Sequence, residues 1–247
     1  MSCLLGWPAT AVWAQNDSAE RFPLPPHESR YEVLRNGSKI GEVATRLSRD
    51  ERGIWLFDTD TIATSTLARM LRLSAEESAH FVWRDGHILP LTYRNVAREP
   101  LRTRFWQHQI DWSAGVSRAE TYEGDLEIEL EPKVLDPLTL RLQTAARLAR
   151  SGGVETDRFD ARVIERDQIE DQHMTFLGEE AVKLELGCFE AQRWSRFRRE
   201  GSSRNYRMWV SEALHWMPLR IDLGDEDSAI SLRLIETDLP DAEPTCD

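Results

Sequence analysis

The sequence predicts a mainly β protein: a single curved antiparallel sheet, forming a half-barrel or open barrel, with one long helix packed across it and one short helix. Three observations support this fold class. About a dozen short segments alternate like strands between turn residues. A pattern of tryptophan, turn and proline occurs over 81–93 and again over 206–221. The strongest helical pattern follows Asp136, and no proline- or glycine-rich linker divides the chain, so one sheet curled on itself is the simplest architecture.

The two proline-containing segments are predicted to be hairpins. In the second, an apolar run over 206–210 is followed by a short turn and by a new apolar run that begins at Met217. Because proline has no N–H, Pro218 fits the entry of a strand or its unpaired side. Near the N-terminus, Asn36-Gly37 is the most specific hairpin signal, since these residues tolerate the positive φ of a tight turn.

Alternation of apolar and polar residues marks the other strands. Trp55 and Phe57 share one side of the segment 54–62, and Leu126 and Ile128 alternate with glutamates over 126–131. The remaining predicted strands span 31–34, 40–45, 104–107, 109–112, 159–165, 173–176, 181–186, 189–198 and 229–235.

The long helix has clear start and stop signals. Asp136 is a good N-cap and Pro137 suits the first helical position, while Gly152-Gly153 closes the helix. Its apolar stripe is narrow and consists of small residues and leucines, which predicts close packing across a face or mouth of the sheet. The stripe comprises Leu138, Leu142, Ala145, Ala146 and Ala149. The short helix is predicted over 64–73, where Leu67, Met70 and Leu71 have helical spacing.

The chain ends differ in composition from the middle. Residues 1–15 are read as a signal-peptide remnant, 16–29 as a flexible leader, 30–239 as a single β-rich domain and 240–247 as a frayed tail. A signal peptide would direct the protein to the periplasm. Because no basic residue precedes Leu4, the alternative is an apolar tail on a cytosolic protein. The apolar run is too short to span a bilayer. Cys188 and Cys246 are either bridged or free, and their spacing leaves both open.

Charge and motifs narrow the function classes. A formal net charge of −12 argues against nucleic-acid binding. The six histidines are scattered without the spacing of a zinc site, and the acidic runs lack a calcium-loop pattern, so no metal or cofactor is expected. Neither the serine-hydrolase elbow nor a nucleotide-binding fingerprint is present, which leaves an enzyme as the least favoured reading.

Aromatic residues are the candidate binding residues. Trp55, Phe57, Phe81, Trp83 and Trp209 are predicted to line an apolar pocket for a lipid or other amphiphile, although a large β core would also need such rings. The basic segment 193–204, with Trp194 and Phe197 interleaved, is the alternative contact, either as a docking site for an envelope protein or as a sheet edge with snorkelling arginines.

A set of aromatic, glycine and proline positions resembles the Gram-negative envelope family called domain of unknown function 3108. The shared positions run from Tyr31 to Leu239 and include Gly37, Gly41, Phe81, Gly86, Pro90, Tyr93, Asp111, Trp112, Asp136, Pro137, Gly187, Phe189, Trp209 and Pro218. The Trp209-to-Pro218 hairpin is also similar to one in lipoprotein carriers of the LolA and LolB kind, which are half-barrels that hold acyl chains. The resemblance implies an exported ligand carrier. A structural or assembly protein of the envelope is the alternative.

Overall fold

The computed structural model describes residues 21–64, 74–99, 101–154, 156–197, 205–224 and 230–246. Within these ranges the chain forms one long helix, α1 (Pro137–Ser151), a short 3-10 turn at Glu212–Leu214, and fourteen strands. The strands are β1 (His27–Arg35), β2 (Ser38–Arg49), β3 (Trp55–Ala63), β4 (Ser74–Arg84), β5 (His87–Glu99), β6 (Arg102–Asp111), β7 (Val116–Thr121), β8 (Gly124–Glu129), β9 (Arg158–Glu165), β10 (Gln168–Leu184), β11 (Gly187–Phe197), β12 (Asn205–Val210), β13 (Pro218–Gly224) and β14 (Ile230–Thr237).

All fourteen described strands belong to one antiparallel sheet. Strands β1 to β8 follow one another in space, β9 to β14 do the same, and β1 pairs with β14 to join the two series. The sheet curls, since the β9–β10 turn reaches β6, where the guanidinium of Arg166 lies 5.3 Å from the ring centroid of Trp106. Leu135 also forms a parallel bridge to Val163 at the β9 edge. The predicted curved sheet with one helix across it is confirmed.

Helix α1 has the predicted start and end. The Asp136 side chain accepts hydrogen bonds from the N–H groups of Leu138 and Thr139, and the Thr139 hydroxyl accepts from the Asp136 N–H, which completes a capping box. Gly152 ends the helix with a left-handed backbone, φ +67°. Four of the five stripe residues are buried; Ala149 is half-buried.

A clamp of two side chains fixes α1 to the β4–β5 turn. Gln143 accepts a hydrogen bond from the Ile88 N–H at 2.7 Å and donates one to the Gly86 carbonyl at 3.3 Å. Arg150 donates to the same carbonyl at 3.3 Å. The helix therefore lies across one mouth of the sheet, beside the end of the first tryptophan-to-proline hairpin.

The three hairpin predictions hold. Asn36 and Gly37 both have positive φ in the β1–β2 turn. Pro218 is the first residue of β13. Pro90 lies inside β5, opposite Phe81, where the register of the β4–β5 ladder shifts.

Several predicted boundaries were wrong or fall elsewhere. The leader expected to be flexible over 16–29 is structured from residue 22 onward, because Phe22 and Leu24 are buried and β1 begins at His27. The strands predicted separately over 173–176 and 181–186 form the single strand β10, which continues through an irregularity at Gly178. The short helix predicted over 64–73 lies almost entirely outside the described residues.

The C-terminal segment is tied to the sheet. Cys188 and Cys246 form a disulfide with a Cα–Cα distance of 5.0 Å, and the N–H of Thr245 donates to the Cys188 carbonyl at 2.9 Å. Pro244 packs directly over Gly187, where a Cβ would clash with it. The tail predicted to be frayed from residue 240 is thus held against β11 up to Cys246, because a long-range covalent bond is invisible to local composition. No helix in the described part of the chain is long and apolar enough to cross a bilayer.

Candidate functional site

Three of the five aromatic residues predicted to line a pocket come together. Trp55, Phe81 and Trp83 surround the ring of Phe22, with centroid distances of 4.9, 5.5 and 5.1 Å respectively. Phe57 is buried in the same hydrophobic core. Because Phe22 fills the space between these rings, they form a packed core cluster and not an open lining.

Trp209 is buried in the same hydrophobic core, but its described ring contact is with an arginine. It points to the opposite face of β12 from Met208. The guanidinium carbon of Arg220 lies 4.4 Å from its ring centroid. Its indole N–H donates to Glu180. In the basic segment, Arg196 stacks in a similar way on Tyr206 at 4.2 Å. The contact of Arg196 with Tyr206 is of the kind expected for a snorkelling arginine. The predicted sheet edge is wrong, because β11 pairs with β10 on one side and with β12 on the other.

A cleft opens beside α1. It has a volume of about 600 Å³ and lies between the helix, the β4–β5 turn, the loop before α1 and strand β9. Its lining residues are Gly86, His87, Ile88, Pro132, Lys133, Leu135, Leu140, Gln143, Arg147, Arg150, Ser151, Phe159, Asp160, Ala161 and Arg162.

The floor of the cleft is apolar and continuous with the core. Ile88, Leu135 and Leu140 are buried members of the main hydrophobic cluster, and Phe159 packs against that cluster. Leu140, Gln143 and Arg147 recur at helical spacing along α1, so the helix presents a second stripe beside the predicted one. One face of α1 therefore closes the core while the adjacent stripe lines the cleft.

The rim of the cleft is basic. Arg147 lies over the ring of Phe159 at 4.9 Å, Arg150 donates to Gly86, and Arg162 pairs with Glu131 and Asp171. Lys133 is exposed and has a left-handed backbone, φ +62°. The lining also holds one carboxylate, Asp160.

The charge of Asp160 is compensated from outside the cleft lining. His173 Nδ1 lies 2.7 Å from the Asp160 carboxylate and Arg158 Nε lies 3.2 Å from it. The hydrogen bond to His173 and the contact with Arg158 lower the pKa of Asp160. Among the residues that line the cleft, cations therefore outnumber carboxylates.

A polar row crosses the inner face of the sheet behind α1. Successive members are direct cross-strand partners from β1 to β5: Ser29, Thr45, Thr59, Glu77 and Asn95. Glu77 accepts hydrogen bonds from the Tyr93 hydroxyl at 2.9 Å and from the Asn95 amide. The interior is therefore not apolar throughout.

Arg141 of α1 adds a cation to this polar interior. Its Nε is buried without a hydrogen-bond partner. Burial opposes its charge, but the electrostatic effects of Tyr206, Glu77, Tyr93 and Tyr31 together outweigh burial and raise the pKa of the guanidinium. The arginine and Glu77 act as electrostatic partners in a setting where either charge alone would be costly.

Sequence reasoning missed the cleft. Lys133, Arg147 and Arg150 were not singled out as binding residues. The available signal was the spacing of Arg147 and Arg150 with Leu140 and Gln143, which marks a second, mixed stripe along α1. Among the described residues no group of three or more His, Cys, Asp or Glu side chains is placed to hold a metal ion.

Comparisons with known proteins place the chain in a family and a fold. A solved structure of a β-barrel-like protein of the domain of unknown function DUF1849, from Brucella abortus, aligns with a TM-score of 0.56 and 10% identity, covering 87% of this chain and 98% of that one. MucB aligns at a TM-score of 0.34 and 11% identity, with 92% of this chain and 57% of that one covered. No curated protein matches the sequence.

The DUF1849 likeness agrees with the curled sheet, and its low identity limits it to the fold. The family model described as "Protein of unknown function (DUF3108)" matches residues 30–234, which is most of the chain and nearly all of the described sheet. The chain therefore belongs to the DUF3108 family.

Proposed function

We propose that this protein binds and carries an apolar or amphiphilic ligand of the cell envelope, and that the cleft beside α1 is its binding site. The observation that carries the proposal is the apolar floor of Ile88, Leu135 and Leu140 beneath a polar rim. A concave site of about 300–1000 Å³ with apolar walls and a few polar groups is typical of small-molecule binding. The proposal is for binding and includes no catalytic step.

A periplasmic location is part of the proposal. The Cys188–Cys246 disulfide supports it, because disulfides persist in oxidising compartments such as the bacterial periplasm. The uncharged apolar run over 4–15 is the type of segment that directs export.

Native mass spectrometry of the chain purified from the periplasm, before and after organic extraction, tests the proposal. We expect a lipid-sized adduct that extraction removes. Ala161→Trp would fill the cleft from β9 and should abolish the adduct, whereas Ala44→Trp, on an exposed position of β2, should retain it. A clean apo mass from the native source, or an undiminished adduct in Ala161→Trp, contradicts binding in this cleft.

An assembly role is the second candidate. Strand β8 lies at the end of the sheet, with its outer side unpaired among the described strands, and such an edge can accept a strand from another protein. The same spectra separate the two functions, since an assembly protein would carry a protein-sized partner.

A further inference from the structure

We propose that the ligand of the cleft has an anionic headgroup, a phosphate or a carboxylate, and that Lys133, Arg147 and Arg150 bind it at the rim. This inference rests on the proposed function and specifies its ligand class. The acyl or other apolar part would then lie over Leu140 and Leu135.

The charge of the residues that line the cleft differs in sign from the net charge of the chain. The chain has a net charge of −12, yet the cleft beside α1 is lined by four cations, Lys133, Arg147, Arg150 and Arg162. Arg162 is paired with Glu131 and Asp171, so the headgroup is assigned to the other three. The one lining carboxylate of the cleft, Asp160, is paired with His173 and Arg158. A concave site lined mainly by one sign of charge concentrates ions of the opposite sign.

Two of the cations lie on one line of α1. Arg147 and Arg150 are three residues apart on the stripe that begins with Leu140, so the stripe runs from an apolar end to a cationic end. The contact between Arg147 and Phe159 at 4.9 Å and the bond from Arg150 to Gly86 at 3.3 Å hold both guanidinium groups at the rim. Such preorganisation lowers the entropic cost of binding.

Lys133 places a further cation at the cleft from outside the helix. It faces the same cleft from the loop before α1, in a left-handed backbone conformation that costs a lysine free energy. Cations from the loop and from the helix therefore approach one space from two sides. Arginine and lysine together favour phosphate or carboxylate, which accept several charge-assisted hydrogen bonds.

A matched set of single-chain amphiphiles tests this inference on the full oxidised chain. Dodecyl phosphate, dodecanoate, dodecyl maltoside and dodecyltrimethylammonium share one apolar part and differ in headgroup. Affinities would be measured by calorimetry below the micelle concentration. We expect the two anionic amphiphiles to bind about tenfold more tightly than the maltoside, with an advantage that shrinks as salt rises.

A double variant, Lys133→Gln with Arg147→Gln, should remove most of this advantage while leaving maltoside affinity unchanged. The control, Lys39→Gln with Arg46→Gln on exposed positions of β2, removes the same charges elsewhere and should keep the preference. Far-UV circular dichroism and the thermal midpoint would verify that both variants fold.

The outcomes separate this inference from the proposed function. Equal affinity for dodecyl phosphate and dodecyl maltoside would overturn the anionic headgroup and leave amphiphile binding intact. Binding of none of the four amphiphiles would overturn both. An equal loss in the cleft variant and the control variant would show that the preference comes from overall charge and would overturn the assigned residues.

Discussion

Asp136 shows how one residue can serve a helix and still be a source of pH dependence. Its Oδ1 accepts from the N–H groups of Leu138 and Thr139 at 2.9 Å each, while Oδ2 is buried without a partner. Burial raises the pKa of this carboxyl to about 7, and the three hydrogen bonds around Thr139 and Leu138 only partly offset that effect.

The substitution Asp136→Asn keeps a capping oxygen and removes the titration. In the wild type, the folded state holds a proton on Asp136 that the unfolded state releases near pH 4, so folding stability falls as pH rises from about 4 to about 7. We expect the free energy of unfolding of Asp136→Asn, relative to wild type, to rise across that window by up to about 4 kcal/mol. Urea unfolding at several pH values measures this.

The exposed Asp125→Asn on β8 is the matched control, and its unfolding free energy should follow the wild-type pH profile. If the Asp136→Asn and Asp125→Asn profiles are parallel, the carboxyl of Asp136 titrates alike in both states and its burial has no electrostatic consequence.

At the scale of elements, the contact between α1 and the β4–β5 turn can be isolated with a pair of glycines. Gly86 and Gly115 both lie in turns with positive φ, +76° and +70°. A Cβ at Gly86 would overlap Arg150 Nη1, whereas a Cβ at Gly115 would meet nothing within 4 Å. Alanine at either position therefore has a similar backbone cost, but only alanine at Gly86 disturbs the contact with Arg150.

Gly115→Ala should cost about 1 kcal/mol through its left-handed backbone alone. Gly86→Ala should cost about 1 kcal/mol more, because the flexible Arg150 side chain must move and lose its bond to the Gly86 carbonyl. Chemical unfolding measures both. In an Arg150→Gln background the excess of Gly86→Ala over Gly115→Ala should vanish; an excess that persists would place the strain elsewhere in the turn.

Elements were predictable where their signals are local. The caps of α1, the Asn36-Gly37 turn and the proline at the start of β13 each depend on residues within a few positions, and all were found as predicted. The position of Phe22 was not predictable for a non-local reason. Its ring packs between those of Trp55, Phe81 and Trp83, yet it lies in a proline-rich segment that composition marks as flexible. The cleft was missed because it forms only when α1, β9 and the β4–β5 turn meet.

For the whole molecule, the order of strands makes the closure of the sheet depend on a few contacts between residues far apart in the sequence. Neighbouring strands are mostly consecutive in sequence. Among the described strands the two series hydrogen-bond to each other through β1 and β14, whose partners Tyr31 and Leu234 are far apart in the chain. Tyr31 reinforces this seam by donating to the Pro218 carbonyl at 3.0 Å. Contacts of such sequence separation carry a large loop-closure cost during folding.

The disulfide stabilises the second series of strands by lowering the conformational entropy of the unfolded chain. It joins β11 to the C-terminal segment across a sequence separation of 58 residues and so includes β12, β13 and β14 in its loop. A loop of this length predicts a stabilisation of about 4 kcal/mol from the reduced entropy of the unfolded chain. Replacing both cysteines, Cys188→Ser with Cys246→Ser, should lower the free energy of unfolding by about 2–4 kcal/mol.

Unfolding in urea with and without reductant separates this entropic effect from lost packing. Reductant should destabilise the wild type by a similar amount and leave the double variant unchanged, since the variant has no bond to lose. The tail also packs Pro244 on Gly187 and donates from Thr245 to Cys188, so a variant that loses much more than the reduced wild type would point to these contacts. Equal stability of oxidised wild type, reduced wild type and variant would mean that the covalent link adds nothing to the closure of the sheet.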